Sequence, residues 1–476
     1  MSDDVKKDVR LSLNVMIHKE KAKVLFAEAD SHFVDILLSF LTLPLGRIVK
    51  VLNNHYGDDA EAATIGSLSC LYRSLANLDS SHFVTKGAKQ TLLNPTSSFE
   101  VAYEKLKLDV SDSPPAEYFY CTKVNHHEFR CVSAYYDKIN YCHECRCFGM
   151  MSKKVVPKKI QAAASSDGVF TLHKDSFIIS DDLRILPNET GILGIIAILG
   201  IADMDEAEII KVDLGLSEIT KLLKASLTSP TPLSDLIMNK TQEMNINSRM
   251  MESGHPNMSL PEIAREENPK SRKLSLKVMI QKSSGKFLYA QANQEFVEFL
   301  FSCLNIPLGG VEHLLSGKAC VTAIDNLYRS TLDVIDDKYF TTNTMKERLT
   351  KPNVVHGCIS KHHILPLVEE PLPFAYYDDC YFSSSKLYKG PGRYLEGPRT
   401  YQVKDDLTVV PFCTVSILSS LRAKRVSISD VEEVEMQIGL KEACSILKAS
   451  LTSTTALTDA LLTHNKSLEQ PKGEEV

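Results

Sequence analysis

Between Leu11 and Ile17, the apolar residues Leu11, Leu13, Val15 and Ile17 alternate with Ser12, Asn14 and Met16. A period of two puts the first set on one face, the pattern of a half-buried strand. Residues 18–23 are polar and read as a turn, and residues 24–29 as a second strand, so the chain opens with a predicted hairpin. The period then changes. Phe33, Ile36, Leu37, Phe40 and Leu41 recur at the spacing of an amphipathic helix, with Ser31 as its expected N-cap. Pro44 and Gly46 are expected to end this helix, and a second amphipathic stretch continues through Ile48, Val49 and Leu52.

The same pattern returns. Residues 274–309 repeat residues 11–46 at a constant offset of 263, with 19 of 36 positions identical, so the chain carries a duplicated unit. Leu71-Tyr72-Arg73-Ser74 returns as Leu327-Tyr328-Arg329-Ser330 at an offset of 256, so the second copy is 7 residues shorter near residues 53–63. Ser180-Asp181-Asp182-Leu183 returns as Lys404-Asp405-Asp406-Leu407 at an offset of 224. Residues 177–179 and 184–186 read as strands about an Asp-Asp turn. The apolar stretch 192–199 reads as a helix. Its counterpart carries Arg422 and Lys424, so this face is expected to be domain core and not a membrane segment. Short strands are expected at 209–214 and 434–438. Each is followed by a helix ending in Lys-Ala-Ser-Leu-Thr-Ser and a shorter helix from Pro232 or Ala456.

This periodicity predicts an α+β protein of two tandem homologous units, each a small, mainly antiparallel sheet with packed helices. The expected divisions are 10–238 for the first unit, 239–272 for a flexible linker, 273–463 for the second unit, and 464–476 for a disordered tail. The likeness of the two units suggests that they pack as a pseudo-twofold pair.

Composition narrows the picture only slightly. At 476 residues, with 43% hydrophobic and 24% charged residues, the chain is an ordinary globular one. A net charge of −6 argues against bulk attraction to nucleic acid. Residues 1–10 lack the apolar core of a signal peptide, and no apolar run is long enough to span a bilayer. A cytoplasmic or nuclear setting is therefore expected, in which thiols stay reduced.

The cysteines carry the sharpest candidate chemistry. Between Asn94-Pro95 and the Asp-Asp turn the offset drops from 257 to 224, so the first unit holds 33 extra residues. That insert, about residues 118–160, contains Cys121, Cys131, Cys142, Cys145 and Cys147, five of the 12 cysteines. Cys121-x9-Cys131-x13-Cys145-x-Cys147 gives two thiol pairs around a loop. This suits a tetrahedral structural zinc in a zinc-ribbon-like module, since four thiolates saturate the metal and close a loop with no core of its own. Cys142 is an alternative ligand, His126, His127 and His143 are further candidates, and reduced unliganded thiols are the competing reading. Gly149 would permit a tight turn after Cys147. The second unit keeps Tyr376-Tyr377 and Cys380 at this place and lacks the other cysteines.

Other motifs have plainer readings. Asp181-Asp182 and Asp405-Asp406 could serve acid–base or cation chemistry, but Asp is favoured in hairpin turns for backbone reasons. Lys153, Lys154, Lys158 and Lys159 beside the insert could touch phosphate, while solvated lysines are the common outcome. Gly309-Gly310 and Lys389-Gly390-Pro391-Gly392 do not form a phosphate loop. The Ser-Leu-Thr-Ser ends could be phosphorylated, although helix-end capping explains them. His362-His363 show no acidic or cysteine partner in the neighbouring sequence, and no catalytic or cofactor-binding residue is expected. The leading functional expectation is a non-catalytic binding or scaffolding protein of unknown protein partner. The alternatives are an enzyme with its site in the cleft between the repeats, and nucleic-acid binding through the insert and its lysines.

Several phrases together carry a resemblance. They are Leu-Ser-Leu-Lys-Val-Met-Ile, the Phe-Val-Asp/Glu helix ending in Leu-Pro-Leu-Gly, Leu-Tyr-Arg-Ser, Cys145-Arg146-Cys147 closing on Gly149 and Met151, the Asp-Asp-Leu hairpin, and Leu-Lys-Ala-Ser-Leu-Thr-Ser. With these the chain resembles a plant-specific family of uncharacterised proteins, the domain of unknown function 674. The resemblance implies tandem repeats with a cysteine-rich insert mapping to Cys121, Cys131, Cys145 and Cys147, and a plant source. Phe148 before Gly149 departs from the family's Cys-x-Cys-Gly. The resemblance implies no reaction.

Overall fold

The computed structural model describes residues 9–57, 59, 61–84, 86–112, 118–121, 132–133, 151–155, 168–172, 176–201, 206–242, 272–355, 358–370, 376–377, 380–381 and 393–462. Two antiparallel five-stranded sheets dominate it. In the first half, β1 (Leu11–His18), β2 (Lys23–Asp30), β3 (Ser176–Ser180), β4 (Ile185–Pro187) and β5 (Ala207–Leu214) lie in the order β4-β3-β2-β1-β5. In the second half, β6 (Leu274–Gln281), β7 (Lys286–Asn293), β8 (Thr400–Val403), β9 (Val409–Pro411) and β10 (Val431–Ile438) lie in the order β9-β8-β7-β6-β10. The two sheets thus share one plan. The alternation read from the sequence sets their faces: Leu11, Leu13 and Val15 are buried while Ser12 and Asn14 are exposed. The edge strands β5 and β10 are eight residues long, longer than the sequence pattern predicted.

Helices pack on both faces of the sheets, most of them on the inner ones. The first half supplies α1 (Ser31–Thr42), α2 (Leu45–Tyr56), α3 (Leu68–Asn77), α4 (Ile192–Leu199), α5 (Leu216–Thr228) and α6 (Pro232–Gln242). The second supplies α7 (Gln294–Ser302), α8 (Leu308–Leu314), α9 (Thr322–Arg329), α10 (Thr414–Ala423) and α11 (Leu440–Thr452). The cap of α1 is Asp30, whose carboxylate accepts the Phe33 N–H at 3.1 Å; Ser31, the expected cap, is already helical. Asn293 caps α7 in the same way. Gly46 does not end a helix: it lies in the first turn of α2, with Pro44 as the N-cap. Pro suits this boundary because it has no N–H to leave unpaired.

One hydrophobic core runs through both halves, from Leu11 and Phe33 to Phe296 and Leu461. Helix α1 shows the consequence. Its periodicity predicts a single apolar stripe, yet it is buried from Phe33 to Thr42, because its own sheet covers one side and α8 and α9 of the other half cover the other. The outer face of each sheet carries a smaller cluster beneath one helix, Ile178, Leu186 and Ile195 under α4 and Met279, Leu288, Ile417 and Leu421 under α10. Helix α4 was expected in the domain core. Instead it lies on this outer face with Leu193 80% exposed, because the inner face is already filled by the other half. No helix among the described residues is long and apolar enough to cross a membrane.

Candidate functional site

The polar groups that converge inside the molecule lie along the seam between the halves. At its centre the two Leu/Ile-Pro-Leu-Gly phrases pair with each other. Leu45 N–H donates to Ile306 O at 3.0 Å and Leu308 N–H to Leu43 O at 2.9 Å, about the bridge Pro44–Pro307. A Cβ on Gly46 would stand 3.1 Å from Leu304 Cβ, and one on Gly309 would stand 2.8 Å from Leu349 O and 3.0 Å from Leu41 O. Glycine here lets backbones of opposite halves approach each other.

Beside this pairing, two carboxylates occupy corresponding helix positions. Asp35 on α1 is 1% exposed and accepts the N–H groups of Val169 (2.7 Å), Phe170 (3.1 Å) and Thr171 (2.8 Å), and the Thr171 hydroxyl at 2.8 Å. Burial pushes its carboxyl up to about 6 despite these donors. Glu298 on α7 accepts the N–H of Tyr394 at 2.9 Å and of Leu395 at 3.4 Å, with the Ser360 hydroxyl beside them, and burial raises it too. Each segment held in this way pairs with the opposite half. Leu172 N–H reaches Tyr339 O and Thr341 N–H reaches Phe170 O, both at 2.9 Å. Reciprocally, Val84 N–H reaches Tyr394 O at 3.0 Å and Glu396 N–H reaches His82 O at 2.8 Å.

The Asp-Asp turns follow the same logic. Asp181 accepts the Ser234 N–H and hydroxyl at 2.8 and 2.7 Å, starting α6; Asp405 does the same for Thr458 at 2.8 and 2.7 Å. The second aspartate faces across the seam, Asp182 to Asn326 Nδ2 at 2.9 Å and Asp406 to Cys70. Leu183 and Leu407 both take φ 60° to close the turns. The serines of Leu-Tyr-Arg-Ser also cross: Ser330 Oγ accepts Ile185 N–H and Ser74 Oγ accepts Val409 N–H, each at 3.0 Å. These aspartates hold backbone and neighbouring helices, as the turn reading expected. The crossing serines and the buried Asp35 and Glu298 were missed; their one signal was recurrence of the same residue type in both copies.

The halves differ at one acidic site. Glu312 on α8 is fully buried and faces Asp325 on α9, where the first half has Val49 and Ser69. The amides of Ala319, Cys320 and Val321, in a loop where Ser316, Gly317 and Cys320 have positive φ, point at the pair, with Arg329 nearby. Burial raises both carboxyls; the charge of Asp325 raises Glu312 further, whereas the hydrogen bond with Glu312 lowers Asp325, so the pair shares one proton with Glu312 as its main holder.

His362 and His363 do meet partners. His362 Nδ1 lies 2.7 Å from Arg272 Nη2 and 3.4 Å from Glu295, an acid that sequence proximity did not reveal. His363 Nδ1 lies 3.1 Å from Ser302 Oγ, and burial lowers the imidazole to about 4. The Ser302 hydroxyl donates to Phe299 O at 2.7 Å, so its oxygen accepts from the neutral ring. That is a structural bond and not a base-activated nucleophile.

Of the metal candidates, Cys121 ends the strand Tyr118–Cys121, opposite Met151 on Met151–Val155, and Tyr120 pairs with Val132. Cys131, Cys142, Cys145 and Cys147 lie outside the described residues, as do His126, His127, His143, Lys158 and Lys159. Lys153 and Lys154 stand on Met151–Val155 opposite Tyr120 and Phe119. No group of three or more His, Cys, Asp or Glu among the described residues could hold a metal. Cys70, Cys303, Cys320, Cys358, Cys413 and Cys444 are not in disulfides. In the Ser-Leu-Thr-Ser ends, Ser226 and Ser450 are buried, each donating to the carbonyl three residues back at 2.7 Å. Gly309 and Gly310 are helical, and 389–392 lie outside the described residues.

A family model described as "Protein of unknown function (DUF674)" matches residues 7–440 and again 389–475. No curated protein and no solved structure matches the chain.

Proposed function

From the premise that this chain belongs to the DUF674 family of proteins of unknown function, we propose that it is a non-catalytic binding or scaffolding protein. The observation that carries this reading is apolar surface in the same place on both halves. Leu193 (80% exposed) and Ile198 (47%) stand on α4, and Val415 (73%) and Leu418 (46%) on α10. Exposed apolar residues gathered on a helix are a common mark of a contact surface. The acids of the seam support the same reading, since Asp35, Glu298, Asp181 and Asp405 accept N–H groups of the chain itself. A catalytic acid needs a lone pair or proton aimed at a substrate.

The insert completes the proposal. Cys121, Cys131, Cys145 and Cys147, with Cys142 as the alternative, hold a structural zinc that closes a loop of the first half and presents it to a partner. The setting is the cytosol or nucleus of a plant cell, where these thiols stay reduced.

Two measurements test this. The purified chain is expected to carry about one zinc, as a four-thiolate site requires. Cys145→Ser with Cys147→Ser should lose it together with thermal stability, and metal-free wild-type protein purified under reducing conditions overturns the zinc assignment. Cross-linking in an extract should recover partners that Leu193→Glu with Ile198→Glu and Val415→Glu with Leu418→Glu no longer recover, at unchanged melting temperature. Recovery independent of all four changes counts against the binding surface.

A further inference from the structure

The outer edges of the two sheets correspond in place but differ in chemistry. On β10 the edge carries Glu432, Glu433 and Glu435, all exposed, with Glu433 paired to Lys277 at 2.8 Å. Charges on an edge strand repel a second strand that would add to it. The corresponding positions of β5 are Glu208, Ile209 and Lys211. Ile209 is 67% exposed. The register places it opposite Met16, and Met16 opposite Phe26, so an apolar row runs from the open edge across the outer face to the cluster beneath α4. In the second half the same row begins with Glu433 opposite Met279. One edge is guarded by charge and its twin is open.

The open edge is also self-complementary. Lys211 and Asp213 are exposed and lie two residues apart, on the same face of β5 as Ile209. An antiparallel pairing of two β5 strands about a twofold axis through Val212 sets Lys211 of each chain opposite Asp213 of the other. Ile209 then stands opposite Gly215, beside Leu216, which is itself 48% exposed. The same operation on β10, about Met436, sets Glu435 opposite Gln437, so the strand offers no opposite charge to meet its glutamates.

We propose that a second copy of this chain docks on the edge of β5, joining the two first-half sheets into one continuous ten-stranded sheet that ends in the two copies of β4, and leaving both β10 edges unpaired. The contact is isologous and closes at two chains, because each β5 has only one open edge. It is independent of any partner of the outer helices.

The test is the mass of the full chain in solution across a concentration series, by light scattering. Wild type is expected to reach twice its 53.0 kDa as concentration rises. Ile209→Glu, which copies the guard of β10, and Lys211→Asp, which opposes aspartates twice per dimer, should each raise the dissociation constant on the order of tenfold or more. Lys211→Asp combined with Asp213→Lys restores the opposition of charges and should restore the dimer. Circular dichroism and melting temperature confirm that each variant is folded. A wild-type chain that stays at 53.0 kDa throughout overturns the proposal. So does a dimer indifferent to Lys211→Asp, or a doubly exchanged chain as monomeric as the single variant.

Discussion

A buried carboxyl is stabilising or costly according to what faces it, and the seam holds both kinds. Asp35 gathers three backbone N–H groups and one hydroxyl, so Asp35→Ala strands all four donors inside the core. Leaving buried donors unmet costs about 1–3 kcal/mol per group when relaxation is poor. A loss of about 2–4 kcal/mol in urea unfolding is expected after local relaxation. Glu312 presents the opposite case. Its folded carboxyl titrates well above the ordinary 4.5, so protons bind the folded chain more tightly than the unfolded one. Its contribution is therefore fully present below about pH 4.5 and is lost as pH rises toward the raised value. Arg329 moderates this loss without removing it. Glu312→Gln keeps the neutral shape and lets an amide N–H donate to Asp325. It should raise stability at pH 8 by on the order of 1 kcal/mol and change little at pH 5. Melting curves at the two pH values check this, and equal shifts at both would refute a shared proton.

At the scale of elements, the contacts across the seam work by close approach of backbones. Helices α2 and α8 each carry, in the first turn, a glycine set against a leucine of the opposite half, Leu304 for Gly46 and Leu41 for Gly309. The clearances differ. A Cβ at 46 meets Leu304 Cβ and Pro95 Cγ at 3.1 Å and Leu304 O at 3.2 Å, a tight fit that small shifts relieve, whereas one at 309 meets the carbonyl oxygen of Leu349 at 2.8 Å, which must move backbone. Gly309→Ala should therefore cost about 1–3 kcal/mol, and Gly46→Ala distinctly less. Denaturant midpoints of the two variants decide it. Helix α1 shows the limits of local pattern at this scale. Periodicity located α1 to within a few residues at each end, yet it could not show that Asp35, Ser39 and Thr42 on the polar side are as buried as Phe33 and Phe40. The hydroxyls of Ser39 and Thr42 are satisfied within the helix by Ile36 O and Ser39 O at 2.7 Å, which lets the whole cylinder leave water.

For the whole molecule, the two halves share one core and exchange segments across it, so neither is a free-standing fold. Residues 9–242 alone would expose the face of α1 that α8 and α9 cover and the part of α2 that the turn Cys303–Asn305 covers, at about 1.5–3 kcal/mol for each large apolar side chain uncovered. Each half produced alone is expected to aggregate or to unfold without a cooperative transition. The two produced together should recover a soluble complex with the melting behaviour of the intact chain. Cooperative unfolding of residues 9–242 alone would contradict the shared core.

What the chain declares locally and what its packing settles are therefore separable. The hairpins, the helices, the two Asp-Asp turns and the α+β class follow from the period of apolar positions and from turn chemistry, since side-chain direction along a strand or helix depends only on nearby residues. The recurrence of phrases also marked the residues that now line the seam, without saying why they recur. Their roles depend on contacts between residues hundreds of positions apart, such as Ser74 with Val409 and Leu45 with Ile306. The same holds for the acid pair, where two carboxyls that no sequence motif singled out became a proton-sharing site only once α8, α9 and a tight loop had excluded water from both. Burial and dielectric are properties of the packed whole, and no local pattern encodes them.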